Sequence, residues 1–436
     1  MDIIERIKND EEVSVEEVIN LDIGVIQELF NDGNDYTIHK KLFEYCIAHR
    51  ETDDSKILYL LGRMYQDGKG VERNFDESIK YYKIATEKGN VYAIYNLGII
   101  YDNDEYAERN IEETIKYFKM AYEKGNANAM FNLGVIYLHG KRVEQNVEEA
   151  IKYFKMAVEK GDSDAMVGLG QLYYTGTCVE QNVGEAFKYF KMAVEKGNGD
   201  AMLNLGCMYM CGGEVKQNIK EAIKYFKMAV EKGNGEAMFN LGYMYRHGKV
   251  VKQNIEKAIK YFKMAVEKGN SEAMFNLGVI YDNDEYSKRN IEEAIKYYKM
   301  AIENGSSDAM YILGYLYHFG KNLEQNYEKA IKYYKMAIEN GVSKVKDNLS
   351  LLIEQINKLS IAERIKYYQI LNQCKKTKKY AKKIIIKQKK DDIVQMYNII
   401  EELTQEVKEL RTHVEYMPDG IGYQEAKTEF ETLQQK

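Results

Sequence analysis

A glycine returns every thirty-six residues along most of this chain: Gly62, Gly98, Gly134, Gly170, Gly206, Gly242, Gly278 and Gly314, with no insertion or deletion between them. A second series, Gly89, Gly125, Gly161, Gly197, Gly233, Gly269, Gly305 and Gly341, keeps the same step, as do Ala85, Ala121, Ala157 and Ala193. So strict a period rules out one central core. Each copy must bury its apolar face against the next, so the interior grows along an axis. Eight full copies occupy residues 55–342.

One copy, NANAMFNLGVIYLHGKRVEQNVEEAIKYFKMAVEKG at 126–161, separates into two helical patterns around a glycine-containing loop. In the first, Ala129, Leu133, Gly134 and Tyr137 share a face. A glycine inside a helix costs about 1 kcal/mol against alanine, so Gly134 implies that another backbone comes close there. The second helix is expected to start at an N-cap, Asn146, with Glu149 three residues on in a capping-box arrangement. The same arrangement recurs at Asn110/Glu113, Asn182/Glu185, Asn218/Glu221 and Asn290/Glu293. It should close at Gly161 as a C-terminal cap. Ala150, Ile151, Tyr153, Phe154 and Ala157 make its apolar stripe, and Glu148 stands at favourable spacing for Lys152.

Composition agrees with such an array: one proline, no tryptophan, 38 tyrosines and 30% charged residues. Five cysteines, at 46, 178, 207, 211 and 374, do not form a disulfide framework and suit a reducing compartment. The opening MDIIERIKND has no secretory pattern, and no apolar run is long enough to span a bilayer. A soluble, intracellular chain, cytoplasmic by preference, is therefore expected.

The ends depart from the period, as caps of an array should. Residues 1–54 read as an N-terminal helical cap whose YTIHKKLFEYCIAHR at 36–50 is a degenerate half-repeat. Residues 343–373 read as a worn ninth copy: Leu349 keeps the register of Leu313, Ser350 replaces the glycine, and IKYY at 365–368 echoes IKYY at 331–334 with two residues missing. A lysine-rich segment (374–390), a helix with coiled-coil heptads (391–417) and a polar tail (418–436) follow, Pro418 ending the helix.

The pattern A-x-x-x-L-G-x-x-Y, then G-K-x-V, then A-I-K-Y-F-x-x-A-x-x-x-G resembles the Sel-one-like repeat, a relative of the tetratricopeptide repeat, over about two-thirds of the chain. The resemblance implies an all-α fold, a right-handed α-α superhelix of antiparallel helix pairs, that serves as an adaptor or assembly scaffold for protein partners. This chain departs from the pattern in using Tyr where tryptophan often stands, and in placing Asn74, Asn110 and Asn146 where an aspartate often precedes the second helix. Copies two and seven lack the loop glycine and read YDNDEYAERN and YDNDEYSKRN, which points to duplication of a five-repeat block.

With Ala129, Leu133 and Tyr137 inward, helical geometry puts Asn128, Asn132, Val135 and His139 on an adjoining stripe. By the resemblance, first helices line the concave surface, so this stripe is the candidate partner-binding surface. Its equivalents are Asp200, Asn204, Cys207 and Cys211; Glu236, Asn240, Tyr243 and His247; Glu272, Asn276, Val279 and Asn283. Recurring asparagines can hydrogen-bond the backbone of an extended protein or peptide partner, or they can bond between helices inside the array. The acidic residues at the head of the stripe suit the helix dipole.

Cys207 and Cys211 lie four apart on one face, and His139 and His247 occupy the position of Cys211 in other copies, but two such thiols lack the further ligands a metal needs. Asp102, Asp104 and Glu105, with Asp282, Asp284 and Glu285, lack the length and glycine of a calcium loop. No nucleophile with a base, phosphate-binding loop or unique carboxylate pair stands out, so no cofactor and no enzyme activity are expected.

Residues 375–390 hold nine lysines and no acid, so the remainder of the chain sums to -6 - 9 = -15. The cluster could serve as a tether to nucleic acid or an anionic membrane, or be a solvated connecting helix. Nucleic acid is disfavoured because no aromatic platform accompanies it. Beyond it, Ile393, Met396, Ile400, Leu403, Val407, Leu410, Val414 and Met417 alternate three and four apart. They form a possible seam for a homodimer through 391–417, or a face that folds back on the array.

Overall fold

In the computed structural model the described residues are 36–51, 54–103, 110–140, 143–286, 289–320 and 323–372, with the single positions 17, 105 and 405. The chain divides into two units, Met1–Leu241 and Gly242–Lys436. In the first, α1 (Tyr36–Ala48) precedes five helix pairs: α2 (Ser55–Asp67) with α3 (Phe75–Glu87), α4 (Val91–Asp102) with α5 (Ile111–Glu123), α6 (Ala127–His139) with α7 (Val147–Glu159), α8 (Ser163–Thr175) with α9 (Val183–Glu195), and α10 (Gly199–Cys211) with α11 (Ile219–Glu231). The division falls inside α12 (Gly235–His247). The second unit continues with α13 (Ile255–Glu267), then α14 (Ser271–Asp282) with α15 (Ile291–Glu303), α16 (Ser307–Phe319) with α17 (Tyr327–Glu339), and α18 (Val345–Asn357) with α19 (Ile361–Asn372). All nineteen elements among the described residues are helices, and the fold class is an all-α solenoid of 36-residue helix pairs.

Local chemistry sets the helix ends. The Asn146 side chain accepts from the Glu149 amide at 3.0 Å, satisfying a donor that the first turn of α7 leaves open. At its other end Gly161 adopts φ 83°, its amide donates to Val158 O at 2.8 Å and the Asp162 amide to Ala157 O at 3.0 Å, the bonding of a Schellman cap.

Only half of the expected capping box forms. The Asn146 amide donates instead to the Tyr137 carbonyl across the loop, at 2.9 Å, so nothing remains for Glu149 to accept at the cap. The same bond joins Asn110 to Tyr101, Asn182 to Tyr173 and Asn218 to Tyr209. Released from the cap, the Glu149 carboxylate pairs with Lys152 Nζ at 3.1 Å. That corrects the expected Glu148–Lys152 partnership, and three-residue pairs recur at Glu113–Lys116, Glu221–Lys224 and Glu293–Lys296. These exposed pairs contribute little stability each.

The repeat glycines also need correction. What approaches Gly134 is no backbone but a ring: a Cβ there would lie 2.6 Å from Cδ1 of Phe154, which belongs to the other helix of the same pair. Tyr82, Phe118, Phe190, Phe226, Phe262, Tyr298 and Tyr334 stand in the same relation to Gly62, Gly98, Gly170, Gly206, Gly242, Gly278 and Gly314. The glycine is a slot for an aromatic ring twenty residues on. Removing each such ring from water contributes on the order of 2–3 kcal/mol. Beside the slot, Tyr137 stacks on Tyr153 with centroids 5.8 Å apart and planes 5° from parallel, and Tyr281 stacks on Tyr297 at 5.7 Å and 4°. Ala150, Ala157 and Leu133 complete the buried interior at 0% exposure.

Candidate partner-binding stripe

Each first helix holds the stripe residues on one side of its buried face, and the structure separates residues that serve the fold from residues that do not. In the first unit, Asn132 on α6 is half-buried and donates through Nδ2 to the Tyr95 hydroxyl on α4, at 3.1 Å. It therefore joins neighbouring repeats. His139, the last residue of α6, is exposed. On α10, Asn204 is half-buried and donates to the Asp200 carbonyl of its own helix, at 2.9 Å. Asn240 on α12 is half-buried as well. The difference lies one repeat back: the positions equivalent to Tyr95 are Val167 and Leu203, which carry no hydroxyl to receive Asn204 or Asn240.

Cys207 is half-buried and Cys211 exposed, neither in a disulfide. Burial first, then Cys211 and Glu236, push the Cys207 thiol up to about 11, so it is a neutral packing group and a poor nucleophile at ordinary pH. The acidic residues beside the stripe brace the next repeat: Asp164 accepts from Asn198 Nδ2 at 2.8 Å and Asp200 from Asn234 Nδ2 at 2.7 Å.

In the second unit, Tyr243 is 46% exposed and its ring lies against His247, centroids 4.1 Å apart. Burial, then Arg246 and Lys249, hold the His247 imidazole below its ordinary value, favouring the neutral ring. Asn276 is placed differently from the other asparagines: only 7% exposed, it donates to the Glu272 carbonyl at 2.8 Å and accepts from the Arg246 guanidinium. Both ends of that amide serve the array. Bonding between helices thus describes Asn132 and Asn276, whereas the Asn204 amide bonds within its own helix and Asn240 faces Leu203 at the position that Tyr95 holds for Asn132.

Among the described residues no group of three or more His, Cys, Asp and Glu side chains is arranged to hold a metal, and no helix is long and apolar enough to cross a membrane. In the two acidic loops, Glu105 pairs with Arg73 and Asp282 with Arg289. The lysine-rich segment 374–390 and the heptad seam from Ile393 to Val414 lie outside the described residues.

One polar cluster escaped the sequence reading. His318, at 0% exposure, places Nδ1 3.2 Å from the Tyr334 hydroxyl and Nε2 3.2 Å from Gln355 Oε1, which also accepts from Tyr327 OH at 3.1 Å. At the other end of the array Tyr82 donates to Gln66 at 2.8 Å. At the tyrosine slots 82, 298 and 334 the residue sixteen positions earlier is Gln66, Asp282 and His318, but Asp102 and Arg246 stand at the same spacing before Phe118 and Phe262, so sequence spacing did not mark the cluster.

The Sel1 repeat family model matches eight consecutive segments: 57–90, 91–126, 127–162, 163–198, 199–234, 235–270, 271–306 and 307–342. Among solved structures, c5321, a protective antigen present in uropathogenic Escherichia coli strains and displaying an SLR fold, is 27% identical with a TM-score of 0.57, over 76% of this chain and 70% of that one. A Sel1 repeat protein from Oxalobacter formigenes is 30% identical with a TM-score of 0.52, over 57% of this chain and 99% of its own. No curated protein matches the chain.

Proposed function

The chain belongs to the Sel1 repeat family, whose members are generally scaffolds for protein interaction, and on that premise we propose that it is a non-enzymatic adaptor binding a protein or peptide partner along the stripe of its first helices. The observation that carries this reading is where the copies differ. Inside, Leu205, Leu241, Leu277 and Leu313 are the same residue and each is at 0% exposure. Two residues on, Cys207, Tyr243, Val279 and Tyr315 are four side chains of three chemistries. Repeats that keep one interior and vary one outward stripe present a rigid frame with a position-specific surface, as a site for a particular partner requires.

Asn204 and Asn240 are the polar contacts of this surface, offering donors and acceptors to an extended backbone without a charge to desolvate. Neutral hydrogen bonds contribute about 0.5–1.5 kcal/mol each. Replacing both (Asn204→Ala with Asn240→Ala) therefore weakens capture by roughly tenfold or more. The test recovers partners on the intact chain and measures their affinity for both proteins beside thermal unfolding of each. Loss of affinity with an unchanged unfolding midpoint supports the reading. An early-melting double variant, or an unaltered affinity, defeats it.

A further inference from the structure

Within the second unit the third stripe position is apolar at every step: Tyr243, Val279, Tyr315 and Leu351, each thirty-six residues from the last. Tyr243 and Leu351 are 46% and 40% exposed, and Val279 and Tyr315 are half-buried. In the first unit the same position carries Arg63, Ile99, Val135, Gln171 and Cys207, so Arg63 and Gln171 interrupt it and no four successive apolar side chains occur there. The helices that bear the column adjoin one another: Arg246 of α12 bonds Asn276 of α14, Met274 of α14 and Met310 of α16 belong to one buried cluster, and Asn348 of α18 donates to Tyr311 of α16 at 3.0 Å.

We propose that residues 391–417 of the same chain lie along this column and cover it; the inference rests on the reading of the stripe as a binding surface. Length supports that occupant. Four adjoining helices about 10 Å apart make a track of about 30 Å, and the heptad spacing from Ile393 to Val414, taken as a helix, would extend about 32 Å. Reach supports it too: the chain leaves α19 at Asn372, and the eighteen residues 373–390 span up to about 60 Å when extended, enough to return along the unit.

Charge favours the same arrangement. The link carries nine lysines and no acid across 375–390, and beside the column stand the exposed carboxylates Glu272 and Asp308, the latter paired with the exposed Lys344 at 3.3 Å. The apolar seam Ile393, Met396, Ile400, Leu403, Val407, Leu410 and Val414 supplies one side chain every three or four residues. A second copy could offer the same seam, but attachment through a short link gives an effective concentration of about millimolar, which outcompetes a partner chain at micromolar concentration. An outside partner then has to displace the chain's own segment from the second unit, while Asn204 on α10 lies off the column.

The test uses the full chain with a photoreactive benzophenone side chain placed at residue 351, and in a second preparation at residue 243. Irradiation followed by peptide mapping is expected to give a species of monomer mass with 391–417 joined to the column, and the adduct disappears when Ile400→Asp and Leu403→Asp are introduced together. Adducts joining two chains would make the column a dimer face and overturn the inference, as would labelling that never reaches 391–417 or that survives the two aspartates. Such a failure leaves the adaptor reading standing, because that reading is tested separately by affinity for a recovered partner, with Asn204 on α10, a helix that bears no part of the column.

Discussion

Two glycines in one helix should respond to the same substitution with opposite signs. α8 contains Gly170, a slot glycine, and Gly168, which lies outside the repeating series. A Cβ on Gly168 would meet only ring atoms of Phe154 and Phe131 at 3.7–3.9 Å, ordinary contact distance. Gly168→Ala therefore gains helix propensity unopposed, about 1 kcal/mol. A Cβ on Gly170 would sit 2.6 Å from Cε1 of Phe190, and that ring, at 0% exposure, would have to retreat by roughly 3.4 - 2.6 = 0.8 Å into packed surroundings. Overpacking of this kind costs about 1–3 kcal/mol. The same propensity gain offsets part of it, leaving Gly170→Ala destabilising by up to about 2 kcal/mol and separating the two variants by ~1–3 kcal/mol. Urea titrations followed by circular dichroism on both variants and the parent measure the gap as opposed shifts of midpoint. Repeat arrays need not unfold in one step, so the order of the midpoints decides. If both alanines shift the midpoint the same way, Gly170 is no aromatic slot and the account of the period fails.

Asn132→Ala removes the bond to Tyr95 between repeats and should cost about 1 kcal/mol, whereas Asn240→Ala should move stability by less than about 0.5 kcal/mol; parallel thermal melts check the contrast, and equal losses would contradict it. Asn146→Ala removes an N-cap and should cost about 1 kcal/mol, with Asn146→Asp retaining most of the stability in the same melts. Burial holds the His318 imidazole below its ordinary value of 6.5, so above that value it is neutral folded or unfolded. As pH falls through 6.5 the unfolded chain takes up a proton that the folded chain refuses, and stability is lost with acid. The groups that face this ring are the phenols Tyr334 and Tyr327, the Phe319 ring and the amide Gln355, with no carboxylate among them to retain the proton. Stability measured from about pH 7.5 to about pH 5 should fall less steeply in His318→Gln than in the parent; identical slopes would show that His318 takes no part.

The array, its helix ends and its family were legible in the sequence because they depend on chemistry repeated at fixed short spacing. Gly161 at a helix end, Asn146 before a helix and the alternation of Ala150, Phe154 and Ala157 each act within a few residues. Eight copies then confirm the pattern internally, and the family match from 57 to 342 follows the same residues. Partnerships across longer separations were not legible in this way. Asn132, Asn204 and Asn276 look alike in sequence, yet they differ because the residue thirty-seven positions before the first is Tyr95, while Val167 precedes the second and Arg246 reaches the third. A side chain's role is decided by what the neighbouring repeat holds opposite it, together with the rotamer that packing allows. The same reason explains why Gly134 receives the ring of Phe154 instead of a backbone, and why Glu149 rather than Glu148 pairs with Lys152 once Tyr137 has occupied the cap. Local periodicity determined the helices and their order; only the packed repeats decided which of their polar residues enter the joints and which stay outside them.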